Sequence, residues 1–163
     1  NIGSRCAKFI NKDFNDSLAI SSENNYLIEE CLSYKEEIIQ NYELRNYSTN
    51  VRLISSLADK INKYLDSEKP WVKIKNDSDK ELVQKICTDG LNLFRILIGY
   101  LKPILPNISK KTEDILMSES INWKNLDQLL LNKKINKFEP IIRRIDNEDI
   151  VSMKNFNRGE NNG

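Results

Sequence analysis

Residues 82 to 101 constrain the fold more than any other part of this sequence. Their apolar members recur at the spacing of a helix and cover most of its circumference: Leu82, Val83, Ile86, Cys87, Leu91, Leu93, Phe94, Leu97, Ile98 and Leu101. A helix that is apolar on so many sides belongs at the centre of a bundle. The capping-box spacing of Ser78 and Glu81 predicts where this helix begins, and Pro103 and Pro106 predict where it ends.

Amphipathic patterns elsewhere predict the helices that cover this central one. They span residues 1 to 14, about 23 to 42, about 49 to 68 and about 109 to 117. Because a proline disfavours helical geometry in the residue before it, the third of these should end ahead of Pro70 and leave Trp71 in a loop. No segment alternates as a strand does. The expected fold class is therefore all-α, a bundle of about five main helices.

The pattern weakens downstream of Trp123. Leu126, Leu129 and Leu130 predict one short helical piece, and residues 138 to 145 another. A chain of 163 residues is the size of one ordinary domain. From residue 153 the composition turns to Asn, Gly and charge, which favours a flexible tail or linker. We expect a helical domain over residues 1–152 and a polar tail over 153–163.

The sequence offers little that could carry out bond chemistry. It has no histidine, its five glycines are scattered rather than gathered in a phosphate loop, and three isolated cysteines do not make a zinc site. No apolar run is long enough to span a bilayer, and Cys6, Cys31 and Cys87 lie in helical apolar patterns that suit reduced thiols. We expect a cytoplasmic chain with no catalytic residue, no bound metal and no cofactor of its own.

One face of the first helix and one aromatic loop predict a binding surface. Asn1, Arg5, Lys8 and Lys12 stack along one side of the helix, since residues three or four apart are neighbours there. The loop is Lys69-Pro70-Trp71-Val72-Lys73, in a stretch rich in lysine. Unpaired RNA bases are bound by aromatic stacking, by hydrogen bonds to their edges and by cations near the phosphates. The alternatives are that Trp71 covers the core and that the charged faces are only solvated.

Several ordered motifs resemble one known family, the anticodon-binding domain of bacterial-type methionyl-tRNA synthetases. The motifs are Asn1, Ser4 and Arg5 leading into Phe9-Ile10-Asn11-Lys12, then Lys69-Pro70-Trp71-Val72, Leu91-Asn92-Leu93-Phe94-Arg95, Tyr100-Leu101-Lys102-Pro103 and Arg144-Ile145-Asp146. The resemblance covers residues 1 to about 150. Cys6 and Lys8 depart from the family, which usually has a small or polar pair at those positions.

The resemblance implies a partner and a role for the binding surface. It implies that the bundle grips the CAU anticodon loop of methionine tRNA, with Asn1 and Arg5 contacting bases and Trp71 stacking on the first base beside Pro70. Lys8, Lys12, Lys69 and Lys73 would contact the RNA backbone. A separate catalytic domain of the same polypeptide would activate methionine with ATP, and the segment from Phe138 to Asp146 would return toward it.

Two other functions fit the same residues. The chain could be the corresponding module of another class I synthetase, with a different anticodon. It could instead be a helical scaffold that binds protein through the apolar seam of the third helix or through the basic segment near Arg143.

Overall fold

The computed structural model describes residues 1–142 together with Ile150 and Met153. Within that part of the chain the fold is all-α, as predicted, and no residue belongs to a named strand. The helices are α1 Ile2–Asp13, α2 Asn25–Ser33, α3 Lys35–Glu43, α4 Tyr47–Glu68, α5 Pro70–Lys73, α6 Lys80–Leu101 and α7 Pro106–Leu116, with a 3-10 turn at Asp77–Asp79 before α6.

Helix α6 is the centre of the bundle, which confirms the prediction from its apolar pattern. Helices α1, α2, α4 and α7 all pack against it. Almost every side chain from Ile86 to Tyr100 is buried. The other helices therefore take their positions from α6.

Two glycines allow α1 to lie close to α6. A Cβ atom at Gly3 would stand 2.8 Å from the ring of Phe94, and one at Gly90 would overlap the sulfur of Cys6. The absence of these side chains permits the close approach. The orientation of α1, and of the residues on its outer face, is fixed by this contact.

Polar side chains buried on α6 hold the loops around it. Asp89 accepts hydrogen bonds from the Ser22 hydroxyl (2.6 Å) and from the backbone N–H groups of Glu23 (2.9 Å) and Asn24 (2.8 Å). Burial raises the pKa of Asp89, an effect that these three bonds oppose. The carboxylate thereby fixes the chain that enters α2.

The second helix is broken where a single helix over residues 23 to 42 was predicted. Helix α2 ends at Ser33, α3 begins at Lys35, and Tyr34 lies between them. The Ser33 hydroxyl donates to the carbonyl of Glu30 at 2.7 Å. Such a bond competes with the continuing helix for backbone acceptors, so the prediction of one helix was wrong at this point.

The predicted starts of α6 and α7 were also wrong. The residues around Ser78 form a 3-10 turn, and α6 begins at Lys80 with Asp79 as its N-cap. The turn is tied by an ion pair of 2.7 Å between Lys80 and Asp77. Pro106 does not end a helix but opens α7, where its missing N–H would have had no partner.

The chain after Trp123 is irregular rather than helical as far as residue 142. Residues 132–136 run beside residues 16–19, with bonds from Leu18 N to Lys133 O (2.8 Å), Asn132 N to Ala19 O (2.8 Å) and Ile135 N to Asp16 O (2.9 Å). The helical piece predicted at Leu126 to Leu130 was wrong, because side chains of α6 bond to the backbone of Leu126, Gln128 and Leu130. Residues 143–145 of the second piece, the Arg144-Ile145-Asp146 motif and the tail at 154–163 lie outside the described residues.

The motif Leu91-Asn92-Leu93-Phe94-Arg95 explains that irregular path. The Asn92 amide donates to the carbonyl of Leu130 (3.1 Å) and accepts from its N–H (2.7 Å). Arg95 donates to the carbonyls of Asn125 (2.8 Å), Leu126 (3.1 Å) and Gln128 (3.2 Å). Burial lowers the pKa of the Arg95 guanidinium, although Asp127 and Glu113 oppose the shift.

The thiols lie in the core, as predicted. Cys6, Cys31 and Cys87 are buried and free. Burial, with a smaller contribution from Glu30, raises the pKa of Cys31 to about 12. None of the helices in the described part of the chain is long and apolar enough to cross a membrane.

Candidate nucleic-acid interface

Helix α1 presents Asn1 and Arg5 one turn apart. The backbone carbonyl of Asn1 accepts bonds from the Arg5 N–H and from the Ser4 hydroxyl, each at 3.0 Å. Asn1 is the N-cap, yet its side chain forms no capping bond and is exposed. The carboxamide therefore keeps donors and an acceptor that could meet a base edge.

Trp71 lies in a short helical turn rather than in a loop, which corrects the sequence-based prediction. Lys69 adopts the left-handed conformation (φ 47°) and ends α4, and Pro70 then opens α5. The Lys69 carbonyl accepts from the N–H groups of Val72 (2.8 Å) and Lys73 (3.2 Å). Pro70 is buried and its ring fixes its own φ, so it anchors the turn that carries Trp71 beside α1.

Arg5 joins the two parts of the site. Its guanidinium carbon lies 4.5 Å from the centroid of the Trp71 ring, a cation–π contact. One of its nitrogens also donates to a carboxylate oxygen of Asp66 at 2.9 Å. The chain thus brings together residues that are more than sixty positions apart in the sequence.

The four lysines assigned to the RNA backbone have different surroundings. Lys69 is exposed beside the tryptophan, whereas the ammonium of Lys73 is paired with Glu68 at 2.5 Å. Lys8 and Lys12 are exposed farther along α1. Lys69 and Lys73 flank the Trp71 turn, and Lys8 and Lys12 continue the row that begins with Asn1 and Arg5.

A groove of about 900 Å³ runs along α1. Its floor is apolar, and Asn1, Arg5, Lys8 and Lys12 stand along its α1 wall. The opposite wall comes from α7 and from residues 138 to 142. Asn11 ties that segment to α1, donating to the Asn136 carbonyl (3.2 Å) and accepting from the Phe138 N–H (3.0 Å).

The sequence did not single out Asp66 or Asn11 for these roles. Asp66 appeared only as one acid within a lysine-rich stretch, and its contact with Arg5 depends on how α1 packs against α4. Asn11 belongs to a family motif, but its partners are 125 and 127 residues away. Among the residues that the structure describes, no group of three or more His, Cys, Asp or Glu side chains could hold a metal ion.

The chain matches the model of one known protein family. A family model described as the anticodon-binding domain of methionyl tRNA ligase matches residues 19–160. The chain belongs to this family. The matched region includes Pro70 and Trp71 and begins downstream of Asn1 and Arg5.

Individual relatives agree with this assignment. Methionine-tRNA ligases from two strains of Francisella tularensis subsp. holarctica are each 39% identical to the chain over 150 residues, which is 92% of the chain and 22% of the relative. The chain therefore spans about a fifth of the length of these curated relatives.

Solved structures share the fold. The free form of Mycobacterium tuberculosis methionyl-tRNA synthetase superposes with a TM-score of 0.83 at 15% identity, over 90% of this chain and 31% of that one. The same enzyme bound by methionyl-adenylate gives a TM-score of 0.82 at 15% identity, over 88% of this chain and 30% of that one. At this identity the likeness concerns the fold alone, and it supports the helical bundle described above.

Proposed function

We propose that this chain recognises the CAU anticodon of methionine tRNA as the anticodon-binding part of a methionine-tRNA ligase. The observation that carries the proposal is the contact between Arg5 and Trp71, which joins a rigid aromatic platform to a planar fork of donors. Stacking of a base on an aromatic ring is tolerant of sequence, and hydrogen bonds to base edges discriminate. Both requirements meet in one half-buried site at the surface.

The residues of the site have different roles in this proposal, according to their chemistry. Trp71 stacks on the first anticodon base. The base either stacks on the face of the indole that Arg5 leaves open, or displaces Arg5 from the face that it covers. If Arg5 is displaced, its guanidinium is free to meet the edge of that base. Asn1, one turn earlier with an uncommitted carboxamide, reads a neighbouring edge. Lys8, Lys12, Lys69 and Lys73 attract the backbone, with Lys73 shared between phosphate and Glu68.

Activation of methionine belongs to another part of the enzyme in this proposal. The chain corresponds to about a fifth of the length of its relatives, and its described residues include no group of three or more His, Cys, Asp or Glu side chains that could hold a metal ion. A catalytic domain of the same polypeptide would bind ATP and methionine, consistent with the methionyl-adenylate bound by the Mycobacterium tuberculosis enzyme. Such an enzyme would work in the cytoplasm, where the buried thiols stay reduced.

The family match favours methionine tRNA over the tRNA of another class I synthetase. No contact in the described residues favours the protein-binding scaffold over an RNA site.

A titration with RNA stem-loops tests the proposal. Fluorescence anisotropy would compare a CAU loop with a loop altered only at its first base, at several salt concentrations. We expect preference for CAU, and affinity that falls as salt rises because counterions compete for the phosphates. Equal affinity for the two loops, or no binding of either, would contradict the proposed function.

A further inference from the structure

The last turn of α4 contacts both parts of the candidate site. Asp66 in this turn bonds to Arg5 of α1, and Glu68 pairs with Lys73 of α5 at 2.5 Å. Residues two positions apart point to different sides of a helix, so one turn of α4 reaches both neighbours. The side chain of Leu65 is buried and anchors this turn in the core. Both α1 and α5 are therefore tied to one fixed element.

Helix α5, which carries Trp71, depends on its surroundings for its orientation. It has four residues, and so short a helix gains too little from its own hydrogen bonds to be stable alone. It meets α4 at Lys69, whose left-handed backbone (φ 47°) is one that residues with a side chain rarely adopt. Pro70 before the half-buried indole is buried, and Ile74 after it packs against the core. Contacts of α5 with the rest of the bundle therefore decide where the indole stands.

The ion pair of Glu68 and Lys73 closes the joint between the two helices. Glu68 is the last residue of α4 and Lys73 the last of α5, so Trp71 lies within the stretch that the bond closes. The two side chains are only 32% and 31% exposed, whereas those of the neighbouring pair of Asp77 and Lys80 are 92% and 53% exposed. Salt screens a partly buried pair less than an exposed one. The bond of Glu68 is therefore the stronger restraint.

We propose that the ion pair of Glu68 and Lys73 positions the Trp71 turn and holds the indole in the orientation that receives an anticodon base. This inference rests on the proposed function, since Trp71 is a platform only if a base stacks on it. Holding a binding group in its bound orientation lowers the entropic cost of binding. The same turn of α4 holds Arg5 through Asp66, so the pair also keeps the indole within reach of the guanidinium 4.5 Å away. Glu68 acts through Trp71 and makes no contact with the RNA.

The sign of one effect separates this role from simple electrostatics. Glu68 is a carboxylate beside a site for a polyanion, so charge alone predicts that its removal strengthens RNA binding. A positioning role predicts weaker binding for Glu68→Ala, because the variant gives up the ion pair that restrains the indole. Asp77→Ala is the matched control. It also removes a carboxylate from a pair with a lysine, but the pair of Asp77 and Lys80 does not span Trp71.

The test measures RNA affinity, indole mobility and stability for each chain. A titration gives the affinity for a CAU stem-loop. Time-resolved fluorescence anisotropy gives the rotational freedom of the Trp71 indole without RNA, with Trp123→Phe in every protein compared. Urea denaturation gives the free energy of unfolding. Glu68→Ala should remain folded, because the helix dipole disfavours a carboxylate at the C-terminal end of α4.

We expect Glu68→Ala to bind the CAU stem-loop roughly three- to tenfold more weakly, which is part of the contribution of one stacked base. Its indole should rotate more freely than that of the unmodified chain. Asp77→Ala should bind at least as tightly as the unmodified chain and leave the indole mobility unchanged. A Glu68→Ala chain that binds the stem-loop as tightly as the unmodified chain, or whose indole is no more mobile, would overturn the proposal.

A charge exchange supplies an independent check. Glu68→Lys combined with Lys73→Glu restores the ion pair with its polarity reversed, whereas Glu68→Lys alone places two ammonium groups together. The exchange should return the indole to low mobility, and Glu68→Lys alone should leave it mobile. Equal mobility in the two variants would overturn the proposal. Mobility is the readout here because the exchange also moves the charge that Lys73 offers to phosphate.

Failure of this pair and failure of the proposed function give different results, because indole mobility is measured without RNA. If Glu68→Ala leaves RNA binding unchanged while Trp71→Ala still loses CAU binding, the pair has no positioning role and the proposed function stands. If Trp71→Ala binds the CAU loop as the unmodified chain does, the proposed function fails, and the role of the pair in recognition fails with it.

Discussion

The carboxylate of Asp66 lies 2.9 Å from the guanidinium of Arg5, on the side of the site formed by the end of α4. This bond and the Trp71 ring hold Arg5 in one orientation, although α1 and α4 are separated by two helices in the sequence. Recognition in this account therefore depends on a residue that need not touch the RNA.

Asp66→Asn should change specificity rather than folding. Because the Asp66 side chain is 61% exposed, loss of the ion pair should change the free energy of unfolding by less than about 1 kcal/mol. The affinities for a CAU loop and for a first-base variant should converge, since Arg5 is held less firmly and a repelling carboxylate is gone. Thermal melts and anisotropy titrations measure the two effects. A full loss of folding, or unaltered discrimination, would show that Asp66 has a different role.

Arg95→Met should destabilise the chain strongly. The guanidinium is buried and serves the carbonyls of Asn125, Leu126 and Gln128, which would be left without a donor. Removing a buried charged donor from its acceptors costs about 3 kcal/mol or more. Urea denaturation gives the loss, with the exposed Arg52→Met as control. If Arg95→Met lowers the free energy of unfolding no more than Arg52→Met does, other contacts hold the segment from Asn125 to Gln128.

Gly90→Ala tests the close approach of α1 to α6. Alanine favours a helix, yet its Cβ would overlap the Cys6 sulfur, so we expect a net loss of about 1 to 3 kcal/mol. Cys6→Ala removes the sulfur and should restore much of that loss when the two changes are combined. A double-mutant cycle by urea denaturation measures this coupling. If the effects of Gly90→Ala and Cys6→Ala on the free energy of unfolding are additive, the overlap with the Cys6 sulfur is not the cause of the loss.

Glu113 should contribute stability that is lost in acid. Burial alone would raise the pKa of Glu113, but the Lys102 ammonium (2.8 Å), the Ile121 N–H (2.7 Å) and the Ser109 hydroxyl (3.3 Å) outweigh it and hold the pKa below its ordinary value. A carboxylate with a lowered folded-state pKa stabilises the fold above its unfolded pKa of about 4.3, and this contribution disappears as the pH falls through the folded value.

The measurement is the free energy of unfolding of Glu113→Gln between neutral pH and pH 3, beside the exposed Glu119→Gln. The deficit of Glu113→Gln should be largest near neutrality and shrink below pH 4, while Glu119→Gln should follow the unmodified chain. A deficit that stays constant with pH would assign the role of Glu113 to packing.

Local pattern was enough to predict the main helices. The apolar residues of α6 determine its central place, and the helical spacing of Asn1, Arg5, Lys8 and Lys12 puts them on one face. The break at Tyr34 was missed because no proline or glycine marks it, and the Ser33 hydroxyl bond to Glu30 is visible only in the structure. Pro106 was misread because a proline can follow one helix or open the next.

The features that local pattern did not predict depend on contacts between residues that are distant in the sequence. Residues 132–136 lie beside residues 16–19 through backbone bonds that depend on no side-chain pattern. Asn11, Asn92 and Arg95 stabilise that path with side chains whose partners are at least thirty positions away. The groove beside α1 exists only once the residues that follow this segment are in place.

The affinity of Trp71→Ala for a CAU stem-loop tests whether Trp71 is the surface on which an anticodon base stacks. Trp71→Phe serves as the matched control, because it keeps an aromatic ring. Where tryptophan fluorescence is read, every protein compared also carries Trp123→Phe. Trp71→Ala should lose about 1 to 3 kcal/mol of binding free energy while remaining folded, and Trp71→Phe should keep most of the affinity. A folded Trp71→Ala chain that binds the CAU loop as tightly as the unmodified protein would contradict that role.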